Sequence, residues 1–298
     1  MPSLYEERSS NLHRTWLLMA VFLVLVIAIG YGASWYYQTP LILYVAVAFA
    51  VGMNFYAYWN SDKQVLRMTK ARPARREEFF DLYTVTENLS ITAGMPMPKL
   101  YVIDDPAPNA FATGRDEGHA VVCATTGLLA MLDRAELEGV IAHELSHIRN
   151  RDILLMTIAV VLAGFIAILA DIFLRLSIYG GGSRNNREGG NALVMVLAVV
   201  GIILAPIAAQ LIQLAISRRR EYLADASGAL LTRYPEGLAS ALQKIGNYAA
   251  PMKSASHATA HLFIGDPYGA KGKANWVNRL FSTHPPIAER IKALVGNA

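Results

Sequence analysis

Hydrophobic positions in this chain gather into two long blocks, with polar blocks following each of them. From Thr15 to Ser61 there is no Asp, Glu, Lys or Arg. One helix crosses the apolar part of a bilayer in about 20 residues, so the first block predicts two spans with a turn between them. Tyr36-Tyr37-Gln38-Thr39-Pro40 supplies the turn, because a proline ends one helix and opens the next. Spans over 15–36 and 40–60 follow. A secretory leader has a shorter apolar core and a small-residue cleavage site, and the second hydrophobic segment weakens that reading. The second block predicts another pair of spans, over 153–175 and 192–217. The stretch from Gly180 to Gly190, rich in Gly, Asn and Arg, reads as a flexible polar loop between them. Asp171 is the one acid in the third span and stands four residues before Arg175, the spacing of a helical ion pair; the competing role is in an ion pathway. Pro206 predicts a kink in the fourth span.

The chain therefore divides into four stretches: an N-terminal membrane hairpin (1–60), a polar segment (61–152), a second hairpin (153–217) and a second polar segment (218–298). Within the polar segments, 98–103 and 119–124 are rich in Val with alternating polar positions and read as short strands. His119 is then most simply a residue on the strand surface. Residues 134–142 have helix-forming composition. Asp133 is a fitting N-cap and Glu136 completes a capping-box pattern. Leu137, Val140, Ile141 and Leu145 mark the buried face of that helix.

Composition agrees with a membrane class. Of 298 residues 54% are hydrophobic and 17% charged, below the quarter usual for soluble chains, and the mean hydropathy is +0.31. The single cysteine, Cys123, excludes an intrachain disulfide and fits a reducing compartment. No activating partner is evident beside it, so it reads as a buried thiol rather than a nucleophile. The net charge of +4 raises the question of nucleic acid, which its distribution answers. Lys63, Arg67, Lys70, Arg72, Arg75 and Arg76 follow the second span, and Arg218, Arg219 and Arg220 follow the fourth. Arg8 and Arg14 precede the first span, whereas the turn after it carries no basic residue and the loop near 180 only Arg184 and Arg187. This bias predicts that both termini and both polar segments face the cytoplasm, with the basic clusters against anionic headgroups. No zinc-finger spacing, RNA-binding aromatic signature or basic recognition helix is present. The partner so indicated is a lipid bilayer and not nucleic acid.

The chemistry is concentrated in His143-Glu144-Leu145-Ser146-His147. Residues four apart share a helix face, so both imidazoles can reach one metal ion, with Glu144 beside it as a base for water. A structural pair of helical histidines is the competing reading. A hydrolytic zinc site needs a third protein ligand and an open position. Glu221 is the best candidate: His147 lies about 9 Å before span three and Glu221 about 6 Å after span four at helical rise, and a hairpin returns both to one membrane side. Asp225, one turn further on, is placed to accept a hydrogen bond from a ligating imidazole. Alternatively, Glu221 and Asp225 offset the three arginines. His257 and His261 are also four apart but have no acid between them, and read as solvent-facing or packing residues. Prolines fix the chain around His284, which either donates to the oxyanion of a tetrahedral intermediate or packs. Asn109, Ala110, Phe111 and Ala112 lie between the two strands, where an edge strand beside the metal helix can pair with an extended peptide; a plain covering hairpin is the alternative.

The motif His143–His147 with Ile148-Arg149-Asn150-Arg151-Asp152, the Glu221–Asp225 motif, Asn109-Ala110-Phe111-Ala112 and Ser282-Thr283-His284-Pro285-Pro286 together resemble the HtpX-type membrane zinc peptidases, heat-shock-associated enzymes of bacteria. The resemblance covers nearly the whole chain. It implies an α+β, mainly helical, gluzincin-like zinc peptidase domain with a small β-sheet, combined with four transmembrane helices. It implies one Zn²⁺ held by His143, His147 and Glu221, with Glu144 as catalytic acid/base. It also implies a cytoplasm-facing site in the bacterial inner membrane and a role in degrading damaged or misassembled membrane proteins. A metal-stabilised scaffold that binds unfolded proteins without cleaving them is the non-enzymatic alternative; such a scaffold has no need of Glu144. An intramembrane peptidase would bury the motif in a span, whereas Glu136, Glu138, Arg149, Arg151 and Asp152 flank it here.

Overall fold

The computed structural model describes residues 4–179, 217–253, 256, 259–269 and 285–296. Helices α1 (Leu4–Tyr37) and α2 (Pro40–Met68) form the first hairpin. Gln38 takes the left-handed conformation (φ 54°) and Pro40 opens α2, where no backbone N–H is needed. The turn is the one expected from the sequence. Helix α2 instead runs past residue 60 to Met68, because a helix already nucleated in the apolar segment adds polar residues at one hydrogen bond each.

Aromatic residues mark both ends of this hairpin. Trp35, Tyr36, Tyr37 and Tyr44 are exposed near the turn, and Trp16 stacks on Tyr58 at the other end with ring centroids 6.3 Å apart. Trp16 and Trp35 are separated by about 28 Å of helix at 1.5 Å per residue. That matches the roughly 30 Å apolar thickness of a bilayer, with aromatic side chains at each interface.

Helix α6 (Asp152–Tyr179) packs between them. Three stretches among the described residues are long and apolar enough to cross a membrane: Ser9–Tyr37, Pro40–Met68 and Asp152–Asp171. They differ in environment, with 72% of the α6 window buried inside the protein against 22% for α1 and 11% for α2. The α1 stripe that meets α6 is Asn11, Thr15, Leu18, Phe22 and Val26, all buried and spaced three or four apart. Asp171 and Arg175 form the expected ion pair at 2.7 Å, exposed on α6. The fourth expected span, apart from its last residue Ser217, and the glycine-rich loop lie outside the described residues.

The polar segments build a mixed four-stranded sheet in the order β1 (Arg72–Pro73), β2 (Lys99–Ile103), β4 (Ala120–Thr125), β3 (Ala110–Gly114). β2 and β4 are parallel; the two outer pairings are antiparallel, with Ala112 opposite Val122 and Phe111 opposite Cys123. Side chains alternate between two buried faces. Leu100, Val102, Ala110, Ala112 and Val122 join the core under helices α3 (Phe80–Ala93) and α5 (Arg134–Arg149), while Ile103, Phe111 and Cys123 meet Met156 and Val160 of α6. The sheet is thus the layer between the metal-motif helix and the membrane bundle. Cys123 is fully buried, and burial pushes its thiol well up, as expected of a structural cysteine. His119 departs from its expected place: it lies in a 3-10 turn before β4 and bonds Asp116 at 2.7 Å. The remaining helices are α4 (Thr126–Met131), α7 (Arg218–Thr232), α8 (Pro235–Asn247) and α9 (Ile287–Val295).

Candidate metal centre

Helix α5 starts with the capping box read from the sequence. The Asp133 side chain accepts from Glu136 N, and the Glu136 carboxylate accepts from Asp133 N, both at 2.9 Å. Glu136 also accepts from Ser240 and Lys244 of α8, each at 2.6 Å, which ties the helix start to its neighbour. Gly139 and Gly228 allow backbones to close on α5: a Cβ at Gly139 would stand 2.6 Å from Leu238 N of α8, and one at Gly228 of α7 3.0 Å from His143 N. Because α7 packs this closely, Glu221 and Asp225, one turn apart on it, reach the histidines.

The His143 and His147 Nε2 atoms converge to 3.1 Å. Glu221 Oε2 is 3.9 Å from His143 Nε2, and Glu221 Oε1 is 3.5 Å from His147 Nε2. All three side chains are buried, and one ligand atom from each lies within 4.8 Å of the others. Two ligands about 2.05 Å from a single tetrahedral ion stand about 3.3 Å apart, so the measured separations suit one metal ion. The donor chemistry agrees: each imidazole has its Nδ1 committed to a carboxylate, which leaves the Nε2 lone pairs aimed at a common point. These three residues can hold a metal.

The two Nδ1 partners come from different directions. His143 Nδ1 donates to Asp225 Oδ1 at 2.9 Å, and Asp225 is gripped from behind by Arg290 of α9, Nη2 to Oδ1 at 2.7 Å and Nε to Oδ2 at 2.8 Å. Arg290 is fully buried, and its Nη1 donates to Ile264 O at 3.1 Å. His147 Nδ1 donates to Asp152 Oδ2 at 2.9 Å. Asp152 is the first residue of α6, brought back toward His147 by Arg151 in the left-handed conformation (φ 58°).

Glu144 is 2% exposed and takes a main-chain hydrogen bond from Ala112 of β3. Burial pushes its carboxyl up to about 7, against the charges of His147 and Arg290. Burial also holds His143 down to about 4, overriding its bond to Asp225. His147 moves the other way, to about 9: burial lowers it, but the bond to Asp152 and the charges of Glu221, Asp152 and Glu144 outweigh burial, so a cation at its Nε2 is favoured and a metal ion would take the place of the proton there. Water, a carboxyl with raised proton affinity and a metal-binding triad are the parts of a metal-assisted hydrolysis.

The model of peptidase family M48 matches residues 76–298, a stretch that holds the triad, Glu144, Asp225 and Arg290. The chain belongs to peptidase family M48. It is a metallopeptidase, a hydrolase of peptide bonds. The expected resemblance to HtpX-type peptidases is borne out over nearly the whole chain. A protein named Protease HtpX homolog from Caldanaerobacter subterraneus subsp. tengcongensis is 50% identical over 297 residues, covering 98% of this chain and 97% of that one. The protein of that name from Dictyoglomus thermophilum is 47% identical over 294 residues, covering 97% and 93%. The one from Streptococcus gordonii is 43% identical over 298 residues, covering 98% and 99%. Among solved structures, that of S. mikatae Ste24p is similar with a TM-score of 0.45 and 22% identity, over 87% of this chain and 65% of that longer one.

In this M48 peptidase, His143, Glu144, His147, Glu221 and Asp225 come together in one buried cluster. Ala110, Phe111 and Ala112 lie on β3, an edge strand beside α5. Its outer edge is already used at Ala110, whose carbonyl accepts from Ile264 N at 2.9 Å. Asn109 turns inward, donating to Gly265 O and accepting from Gly265 N, both at 3.0 Å, and so anchors the start of β3. His261 is 1% exposed, a buried residue of the short 3-10 turn Ala260–Leu262 and not a solvent-facing one. His257 and His284 lie outside the described residues.

Three residues around the triad were missed by sequence reasoning: Asn11, Asp152 and Arg290. Arg290 carried a usable signal, since it shares the apolar face of α9 with Ile287, Ile291 and Leu294. Arg220 was grouped with Arg218 and Arg219 as a headgroup-facing cluster. It is instead 3% exposed and donates to Asn11 Oδ1 at 2.9 Å, while its two neighbours are exposed.

Proposed function

We propose that the chain is a membrane-bound zinc endopeptidase that cleaves damaged or misfolded membrane proteins, as part of a stress response. The observation that carries this reading is the convergence of His143, His147 and Glu221 at the polar end of the membrane bundle. Asn11 lies about 8 Å beyond Trp16 along α1, so the cluster sits just outside the aromatic belt. Zinc would be held by His143, His147 and Glu221. When bound, it supplies a Lewis acid that polarises a carbonyl and acidifies water. Glu144, in the same pocket, takes a proton from the attacking water and returns it to the leaving amine. Asp225 keeps the His143 tautomer with Nε2 free. The substrate lies extended along β3 beyond Ala110, held through main-chain groups, which suits cleavage tolerant of sequence. His284, six residues ahead of Arg290, is assigned as a donor to the developing oxyanion.

The architecture proposed with this is a gluzincin-like domain made from 61–152 and 218–298, combined with four spans in the hairpins 1–60 and 153–217. Both termini and the site face the cytoplasm of the inner membrane, following the basic bias of the flanking segments. The test is zinc-dependent cleavage of an unfolded membrane protein by the parent and by Glu144→Gln. Metal content should be equal in the two, and turnover in the variant should fall by about 10²–10⁴. Full turnover in Glu144→Gln would remove the assignment, and metal loading with no cleavage by the parent would point to a scaffold. In the same assay His284→Ala should lower kcat by about 10²–10³; unchanged kcat would withdraw its role.

A further inference from the structure

Asn11 stands in the polar first turns of α1, at the head of its buried stripe, and every polar atom of its side chain is used. Its Nδ2 donates to Asp152 Oδ1 at 2.6 Å and to Asn150 O at 3.1 Å, and its Oδ1 accepts from Arg220 Nη1 at 2.9 Å. Arg220 Nε lies 3.6 Å from the same Asp152 oxygen. Asn11 and Asp152 are each 1% exposed. The other oxygen of Asp152 holds His147 Nδ1 at 2.9 Å. A continuous path of short hydrogen bonds therefore runs from the N-terminal membrane helix to an imidazole of the candidate metal centre.

We propose that Asn11 is a positioning residue for that centre: it fixes the Asp152 carboxylate and, through it, the ring of His147. The inference rests on His147 being a metal ligand. Two donors and one acceptor at this reach are what an asparagine offers. Aspartate would set a second carboxylate against Asp152, and leucine would leave Asp152, Asn150 O and Arg220 with unmet bonds in a buried place. The membrane hairpin is on this account part of the metal site and not only its anchor.

The test uses the full-length protein in detergent, with Zn²⁺ affinity measured by competition with a chromogenic chelator and the Co²⁺ form followed by its visible absorption. Asn11→Ala should weaken metal binding about tenfold to a hundredfold, the range found when groups supporting a ligating histidine are removed. It should also change the Co²⁺ spectrum. Asn11→Ser puts one short hydroxyl in place of the amide, too short to join Asp152, Asn150 O and Arg220 at once, and serves if the alanine variant does not fold. Asn54→Ala is the control for helix packing. Asn54 is a second buried asparagine in the hairpin, donating to Met19 O at 3.1 Å, about 12 Å further along α1 than Asn11. Its affinity should equal that of the parent. In an Asp152→Ala background, loss of Asn11 should have little further effect on affinity. Parent-like affinity and spectrum in both Asn11 variants would overturn the proposal. A parent that binds no metal would overturn the metal reading and this inference with it, whereas tight binding unaffected by Asn11 would overturn the inference alone.

Discussion

The two imidazoles on α5 stand one turn apart and meet at one point, yet they are held by different parts of the molecule. His143 is held by Asp225 and Arg290, on helices α7 and α9 of the second polar segment. His147 is held by Asp152, at the head of a membrane helix, with Asn11 of the first hairpin and Arg220 behind it. The His143 side resembles a buried ion pair closed with two short bonds, a strong arrangement whose cost appears when one partner is removed. The His147 side is a chain of single bonds that runs from α5 across three further helices, α6, α1 and α7. A centre supported in this way is complete only when the membrane bundle and both polar segments have docked together. That explains how residues from 11 to 290 come to share one site.

The comparison can be broken most severely at Arg290. Arg290→Ala should cost about 3–5 kcal/mol of stability, since Asp225 would be left buried without its cation. Thermal unfolding of the metal-free protein in detergent measures it, and a change below about 1 kcal/mol would mean that the pair carries little. Next come the two carboxylates. Asp225→Asn and Asp152→Asn should each weaken Zn²⁺ binding by about tenfold to a hundredfold in the chelator competition. If the two sides are independent, the double variant loses the product of the two factors; a much smaller combined loss would show that they act as one unit.

The smallest effect is expected where α5 begins, a place common to both sides. Burial alone would raise the Glu136 carboxyl, but the bonds from Lys244, Ser240 and Asp133 N outweigh it and hold it below the ordinary value. A carboxyl depressed in the folded state stabilises above its ordinary pKa of about 4.3 and loses that contribution as pH falls through the lowered value. Glu136→Gln should therefore cost about 1 kcal/mol at neutral pH, with a gap to the parent that shrinks on acidification below about pH 4. Denaturant unfolding at pH 7 and pH 3.5 reads the gap, and an equal gap at both would refute the attribution.

What was legible in the sequence was local or set by hydropathy. The capping box, the histidine pair and the hairpin turn each depend on residues within a few positions of one another. Glu221 and Asp225 were reachable because the second hairpin expected from the hydropathy would return the chain to the side it left. Asp152 was visible as a flanking charge and as the end of the motif that carries the resemblance, but with no role: its contact with His147 depends on the reversal at Arg151, a left-handed residue that is not glycine. Asn11 was hidden because it stands just ahead of the block by which the first span was recognised. Only the packed bundle shows that the buried stripe of Leu18, Phe22 and Val26 extends back to it. Arg290 was missed because its partner is 65 residues away in sequence, and nothing local says that an arginine on an apolar helix face meets a carboxylate. The edge strand β3 could be suspected from the strands on either side, but its loss of a free edge at Ala110 comes from Ile264, far along the chain.

The central claim is that His143, His147 and Glu221 together hold one catalytic metal ion. Metal content and X-ray absorption of the purified full-length protein test it most directly, with Glu221→Ala beside the parent. The account predicts one zinc per chain in the parent, bound by two imidazole nitrogens and a carboxylate oxygen, and a large loss of metal in the variant. Equal metal content and an unchanged absorption spectrum in Glu221→Ala would contradict it.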